Sequence, residues 1–340
     1  MNNKSAKIKD FIFSQLPNHS TDIVSLLSKQ FGFSRQRAYW YIAKEIKNKK
    51  IIKIGRTRST RYFVIGGKNI EFSCKIKPDL AEDQVWSKYV KPMVLSYSDN
   101  IKQIIAYGFT EIYNNAIDHS KGTIIYTKIE NNDKSIEIII MDNGIGIFQK
   151  IKDALKLDST QESILHLSKG KFTTDPSKHT GEGIFFTSRI FDHFSIFSND
   201  MYYDFENENW LLSPEKNENF GQGTLIKMIL SLDSTKTPKE IMDKYTDQNI
   251  GFEKTIISVA LSADPNDPHV SRSQAKRLLM GLEKFKTIIL NFENVMLVGQ
   301  SFVDEIFRVF KNEHPNITIR YFNANNDVDA MIKRGLATKR

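Results

Sequence analysis

The feature that most constrains this chain is a set of four short motifs in a fixed order. They are Glu111-Ile112-Tyr113-Asn114-Asn115-Ala116-Ile117-Asp118-His119, Asp142-Asn143-Gly144-Ile145-Gly146, Thr180-Gly181-Glu182-Gly183 and Gly221-Gln222-Gly223-Thr224. After Ser98, with Asp99 as the expected N-cap, Ile101, Ile104, Ile105, Gly108, Ile112 and Ala116 recur at helical spacing. That spacing predicts a long helix with one face on a sheet. Glu111 and Asn115, four residues apart, project from the same side of it. Ile136 to Met141 is a continuous apolar run and predicts a buried strand ending at Asp142. The two glycines that follow let the backbone turn sharply and approach a flat ring closely, and Ile147 to Leu157 returns to a helical pattern. A carboxylate at Asp142 can accept a hydrogen bond from the exocyclic amine of adenine, whereas guanine presents a carbonyl there. Thr180 to Gly183 opens an apolar helix, Ile184 to Phe191, whose first N–H groups suit phosphate oxygens. Gly223-Thr224 begins a strand, Leu225 to Leu230. Each motif alone is weak; together they are the parts of a nucleotide pocket. No Gly-x-x-x-x-Gly-Lys-Ser/Thr occurs, so a P-loop is excluded.

The set and its order resemble the Bergerat-fold (GHKL) ATPases, which include gyrase B, Hsp90, MutL, histidine kinases and the anti-sigma-factor serine kinases. The resemblance covers about residues 80–232. It implies ATP and Mg²⁺ as cofactors. It makes Glu111 the catalytic residue that polarises water and Asn115 the Mg²⁺ ligand between the phosphates. His119 takes the basic or polar position near the phosphates. Asp142, Gly144, Gly146 and Thr224 would form the adenine side, and Gly181 and Gly183 the phosphate side. The side-chain chemistry agrees: a carboxylate in reach of water can act as general base, and an amide oxygen is a hard, neutral ligand. Residues 158–179 are polar, with Lys169, Gly170, Lys171, Thr173, Thr174 and Lys178, and stand where these ATPases carry a mobile lid. Lys171, Lys178 and His179 have donors for phosphate. Glu182 departs from the hydrophobic residue found at this place in many such ATPases.

Charge divides the chain. Residues 1–66 hold nine Lys and five Arg against Asp10, Asp22 and Glu45, a net +11, while the whole chain is +8. The remainder is therefore −3. A basic module on a near-neutral body suggests a polyanion, DNA foremost. Ile8 to Leu16 predicts one helix, and Thr21 is the expected cap of a second, Asp22 to Phe31. After a turn at Gly32-Phe33, Ser34 caps a third that carries Arg35, Gln36, Arg37, Tyr39, Trp40, Tyr41 and Lys44. Two strand-like runs follow, Ile51 to Ile54 and Tyr62 to Ile65, around Arg56, Arg58 and Arg61. This resembles a winged helix-turn-helix. The resemblance implies Arg35, Gln36 and Arg37 near base edges, and Lys44, Arg56, Arg58 and Arg61 also on the DNA. Gly66-Gly67 marks a linker, and residues 67–79 are expected to hold the linker or a first strand.

From Phe252 the pattern alternates. Strands are predicted at Lys254 to Leu261, Thr287 to Phe292 and Ile317 to Phe322. Helices are predicted at Arg272 to Phe285, Ser301 to Phe310 and Val328 to Leu336. Residues 250–340 resemble the STAS-like domain found fused to Bergerat ATPases. In STAS antagonists a phosphorylatable serine starts a helix within Asp-Ser-Ser-Gly; here the stretch is Val298-Gly299-Gln300-Ser301-Phe302, and Ser301 reads as a plain helix N-cap. The expected fold is thus multidomain α+β and α/β: winged helix-turn-helix (1–66), Bergerat α/β sandwich (80–235) and a small STAS-like domain.

Cys74 is the only cysteine, which excludes an internal disulfide or a zinc knuckle. No apolar run nears the ~18 residues of a membrane span and no charged-then-apolar leader is seen, so a cytoplasmic protein without membrane contact is expected. The expected function is a regulator that couples ATP binding or hydrolysis to DNA binding, with a protein partner at the STAS-like domain and a homodimer left open. Two alternatives stand beside it: a serine/threonine kinase acting on a STAS-type domain, and an ATP-operated nucleic-acid clamp in defence against foreign DNA.

Overall fold

A computed structural model describes residues 3–16, 18–48, 50–54, 60–64, 69–172, 180–206, 209–212, 222–246, 251–262 and 271–337. Its strands are β1 (Ile51–Ile54), β2 (Arg61–Val64), β3 (Asn69–Lys75), β4 (Ile124–Asn131), β5 (Ser135–Asp142) and β6 (His193–Ser198). They continue with β7 (Met201–Asp204), β8 (Asn209–Leu212), β9 (Thr224–Ser231), β10 (Lys254–Ser258), β11 (Thr287–Asn291) and β12 (Thr318–Phe322). Two compact units divide the chain. One holds Met1–Asp142 with Lys227–Thr235, the other Asn143–Ile226 with Lys236–Arg340.

The first unit begins with three helices, Asn3–Gln15, Ile23–Phe31 and Arg35–Lys47, and the antiparallel hairpin β1-β2. Ile8, Ile12, Leu16, Ile23, Leu27, Phe33, Ala38, Ile42, Ile51 and Tyr62 form their common core. Ser34 caps the third helix as its sequence position predicts, accepting from the Arg37 N–H at 3.2 Å. Thr21 does not cap the second. Asp22 holds the cap position, and its carboxylate meets His19 Nδ1 at 3.1 Å.

Next in this unit come β3-β4-β5-β9, with β3, β4 and β5 an antiparallel meander. On β5 burial alternates: Ile136, Ile138, Ile140 and Asp142 point into the core, while Glu137, Ile139 and Met141 are half-covered. The apolar run therefore hides a period of two, and Asp142 is the last residue of its inward face. The helix Asp99–His119 packs on β5 with Ile101, Ile104, Ile105, Gly108, Phe109, Ile112, Tyr113 and Ala116 buried. Ser98 precedes this helix and Asp99 is its first residue, one place away from the expected cap.

The second unit carries the antiparallel strands β6-β7-β8. Helices span Ile147–Leu155, Thr160–Lys169 and Gly183–Ile190. The first stops short of Leu157 because Lys156 takes a left-handed conformation at φ 54°. The same unit holds the parallel sheet β10-β11-β12. Its crossovers contain the helices Arg272–Leu279 and Gln300–Asp304, the latter continuing through a π-helical stretch, Glu305–Phe310, to Glu313; Asn326–Ala337 follows β12. Two expectations change here. The strand ends at Ser258 and turns into a 3₁₀ helix, Val259–Ser262, although Val259 and Leu261 are as buried as strand residues. An apolar run does not by itself separate the two conformations. The helix from Arg272 ends at Leu279, because Met280 leaves helical dihedrals at ψ 125° and Gly281 takes φ 82°.

An aromatic cluster lies under this region. Phe252, 5% exposed, stands 4.6 Å from the Phe185 ring, 5.0 Å from Phe186 and 5.3 Å from Phe285. Phe252→Ala leaves a ring-sized hole among three segments and is expected to cost about 3–5 kcal/mol. Denaturant unfolding followed by circular dichroism checks this; an unchanged midpoint would show that the cluster contributes nothing.

Candidate functional site

In the first unit, Glu111, Asn115 and His119 lie along one side of the helix Asp99–His119, each half-buried, while its opposite side is spent on the core. Successive fours keep the three within about 40° of each other per step. Asp142 is anchored at the end of β5 opposite Ile125 and is 7% exposed. A carboxylate that well shielded requires polar company.

In the second unit, Gly144 and Gly146 are buried, and Gly146 leads directly into the helix at Ile147. Gly146 has φ 87°, and a Cβ there would fall 2.7 Å from Ser198 Oγ. A larger residue is thus excluded both by dihedral and by space. Ser198 Oγ in turn donates to the Gly223 carbonyl at 2.9 Å, and Thr224 Oγ1 accepts from the Ile147 N–H at 2.9 Å. The second and fourth motifs are therefore bonded to one another at the start of a helix. Gly181 has φ 74° and its missing Cβ faces the Phe172 backbone; Gly183 opens the helix Gly183–Ile190. Burial pushes the Glu182 carboxyl above its usual range, against the pull of Lys171.

The segment expected to be a polar lid is different in its first half. Thr160–Lys169 is a helix capped by Ser159, and Ser163 through Lys169 are all buried. Ser163, Ser168 and Lys169 look polar in a sequence, yet each donates to a main-chain carbonyl. Ser163 Oγ donates to the Phe148 carbonyl at 2.8 Å. His166 is held down to about 3 by burial and by the charges of Lys169 and Lys284, so it is neutral at ordinary pH. Lys169, 2% exposed, donates to the carbonyls of Arg277 at 3.0 Å and Met280 at 2.9 Å, and its own carbonyl accepts from Thr255 Oγ1 at 2.8 Å. Lys171 donates to the Lys284 carbonyl at 2.9 Å and lies over the rings of Phe285 and Phe252. In this conformation Lys171 is thus engaged by residues 252–285. Thr173, Thr174, Lys178, His179 and Gly221 lie outside the described residues.

In the N-terminal module, Arg35, Gln36, Arg37 and Lys44 are exposed on the third helix. The Arg37 guanidinium covers Phe33 at 4.8 Å. Arg61 is paired with Glu71 at 3.1 Å, and Glu71 also accepts from Tyr126 at 2.6 Å. Arg56 and Arg58 lie outside the described residues. Sequence reading assigned no role to Trp40, which is 55% exposed on the same helix. It also missed His193, Asp204 and Glu206, whose ligand atoms lie within 4.8 Å of one another. That trio has the donors for a divalent cation, but His193 Nδ1 at 3.3 Å from Glu206 accounts for it equally as a surface ion pair.

Burial brings the Lys169 ammonium down to about 7, with Glu283 and Glu162 pulling only partly the other way. A neutral amine still has N–H groups for both carbonyls, so losing the proton keeps the bonds. An unfolded lysine titrates at 10.5. Between those values the unfolded chain binds the additional proton, so folded stability rises with pH from about 7 to about 10.5. Below about 7 the buried charge opposes folding by a constant amount. Lys169→Met lacks this dependence. Wild-type stability relative to the variant should therefore climb between pH ~7 and ~9.5 in denaturant melts. A difference that stays flat over that window would show that the amine titrates like an exposed lysine.

Among the described residues no helix is long and apolar enough to cross a membrane. No curated protein matches the chain. A family model described as a STAS-like domain of unknown function (DUF4325) matches residues 274–329, so this stretch, from the helix Arg272–Leu279 to the start of the helix Asn326–Ala337, is a STAS-like domain.

Proposed function

We propose that the chain is an ATP-binding, Mg²⁺-dependent regulator in which a Bergerat-type domain over residues 80–235 controls DNA binding by a winged helix-turn-helix over residues 1–66. The observation that carries the nucleotide half is the geometry at Gly146. This glycine cannot be replaced without strain and collision, and the residue after it is hydrogen-bonded to Thr224 from a motif 77 residues on in the chain. That arrangement holds the turn after Asp142 in one conformation at the start of a helix, which supports a preorganised binding backbone there. The buried Asp142 supports the adenine contact, and Glu111 and Asn115 on the open side of their helix support the roles of base and Mg²⁺ ligand. The three helices, the hairpin β1-β2 and the +11 charge support the DNA half. The bonds of Lys169 and Lys171 to residues 277–284 supply the regulatory connection, since they tie the lid-bearing segment to the STAS-like end of the chain.

One observation favours the kinase reading. Gly299, not Ser301, occupies the N-cap of the helix Gln300–Asp304, and Ser301 is exposed in its first turn. A hydroxyl freed from capping duty and open to solvent is an available phosphoryl acceptor.

Incubation of the full chain with γ-labelled ATP and Mg²⁺ separates these readings. Released phosphate marks an ATPase switch, and label retained on Ser301 marks a kinase. Asp142→Asn turns one of the two acceptor oxygens into a donor, and loss of the buried contact to the adenine amine should weaken a non-hydrolysable ATP analogue by ~1–3 kcal/mol in calorimetry. Glu111→Ala should keep the nucleotide and lose turnover ~10²–10⁴-fold. Equal affinity in wild type and Asp142→Asn would remove the pocket from residues 80–235.

A further inference from the structure

We propose that Trp40 is a specificity-determining residue of the N-terminal module, and that it reads a thymine methyl group in the major groove of duplex DNA. The proposal rests on the DNA-binding reading above and names its point of contact.

The third helix meets its core obligations with Ala38, Ile42 and Glu45, all buried. Trp40 contributes nothing to that side. At 100° per residue, Gln36, Trp40, Ala43 and Lys47 centre the outward stripe, with Tyr39 and Lys44 on its margins. Arg35 and Arg37 flank that stripe, so Trp40 stands beside the three residues expected near base edges, one turn on from Gln36. Trp40, 55% exposed, and Tyr39, 39% exposed, place two aromatic rings on the solvent side of this helix.

Its surroundings define the partner. Lys44 Nζ sits 5.5 Å from the Trp40 ring and Lys53 Nζ, from β1, 5.5 Å from the Tyr39 ring. Tyr41 meets the indole edge-on at 5.0 Å. The ring is thereby oriented rather than loose, and it is an apolar centre inside a cationic rim. A second copy of the chain would bring two +11 surfaces together, which like charges oppose. A polyanion with an apolar group between its charges fits. A helix with its side chains is about 10–12 Å across and fits the major groove, about 12 Å wide. The apolar feature on that groove floor is the thymine C5-methyl.

The test uses the full chain. Duplexes selected from a random pool by the wild type are measured by fluorescence anisotropy, then remade with each thymine replaced by deoxyuridine, which lacks only the methyl. One position should cost the wild type about 4-fold, the scale of one methyl group buried from water. Trp40→Ala should lose a similar factor on the selected duplex and be indifferent to that deoxyuridine, while Trp40→Phe recovers part. Melting should change little, because the ring is more than half exposed. Trp40→Ala binding like wild type with the deoxyuridine penalty intact overturns the proposal. So does a change confined to sedimentation, which would make Trp40 a contact between copies, or a loss on single strands equal for thymine and uracil, which would make it a stacking platform. If the wild type binds no duplex at all, the DNA-binding reading falls and this one with it; wild-type binding with an indifferent Trp40→Ala sinks this one alone.

Discussion

A buried amine that serves two main-chain carbonyls is the constraint on which the second unit is organised. Arg277 and Met280 sit at the end of the helix Arg272–Leu279, where carbonyls lack partners within the helix. Lys169 satisfies both from another segment, and Thr255 holds the Lys169 carbonyl in return. Removing the amine strands two acceptors; removing the helix end strands the amine. Each side thus depends on the other, and the aromatic cluster around Phe252 fills the space that this pairing leaves between strand and helix.

The same clasp explains where sequence reading worked and where it failed. Long periodic signals were legible: the stripe from Ile101 to Ala116, the hairpin β1-β2, and the alternation that gave β11, β12 and their helices. The STAS-like stretch was legible for the same reason. The helix Thr160–Lys169 was not, because its buried face is made of Ser163, His166, Ser168 and Lys169 as much as of Ile164, Leu165 and Leu167. Polar residues buried on main-chain acceptors carry no hydrophobic period, so a packed helix presents itself as a loop. Residues 259–262 show the opposite failure, an apolar run that is one 3₁₀ turn.

At the candidate site, residue identity was more legible than environment. The i, i+4 relation of Glu111 and Asn115 and the need for glycine at position 146 follow from spacing and sterics. What spacing does not contain is the partner that makes Gly146 necessary. Ser198 and Asn199 occupy the place of its missing Cβ, the first as the last residue of β6 and the second in the turn just after it, a stretch of no distinctive sequence. The outward-facing Trp40 was hidden differently. An aromatic residue in a helical window is ordinarily assigned to the core, and only burial of Ala38 and Ile42 on the opposite side shows that it is not.

Coupling in the proposed regulator then has a definite form. Lys169 and Lys171 directly precede the residues expected to close over phosphate, and both are bonded to residues 277–284. If ATP draws that segment away, it must break these bonds, and the loss reduces its affinity. A partner that binds the STAS-like domain only when the clasp is open removes the same cost beforehand. The two ligands would then assist each other by one common factor, as linkage requires. A partner that needs the clasp closed would oppose ATP by the same reasoning. The sign of the regulation thus rests on whether the STAS-like domain is recognised with Lys169 seated against Arg277 and Met280 or withdrawn from them.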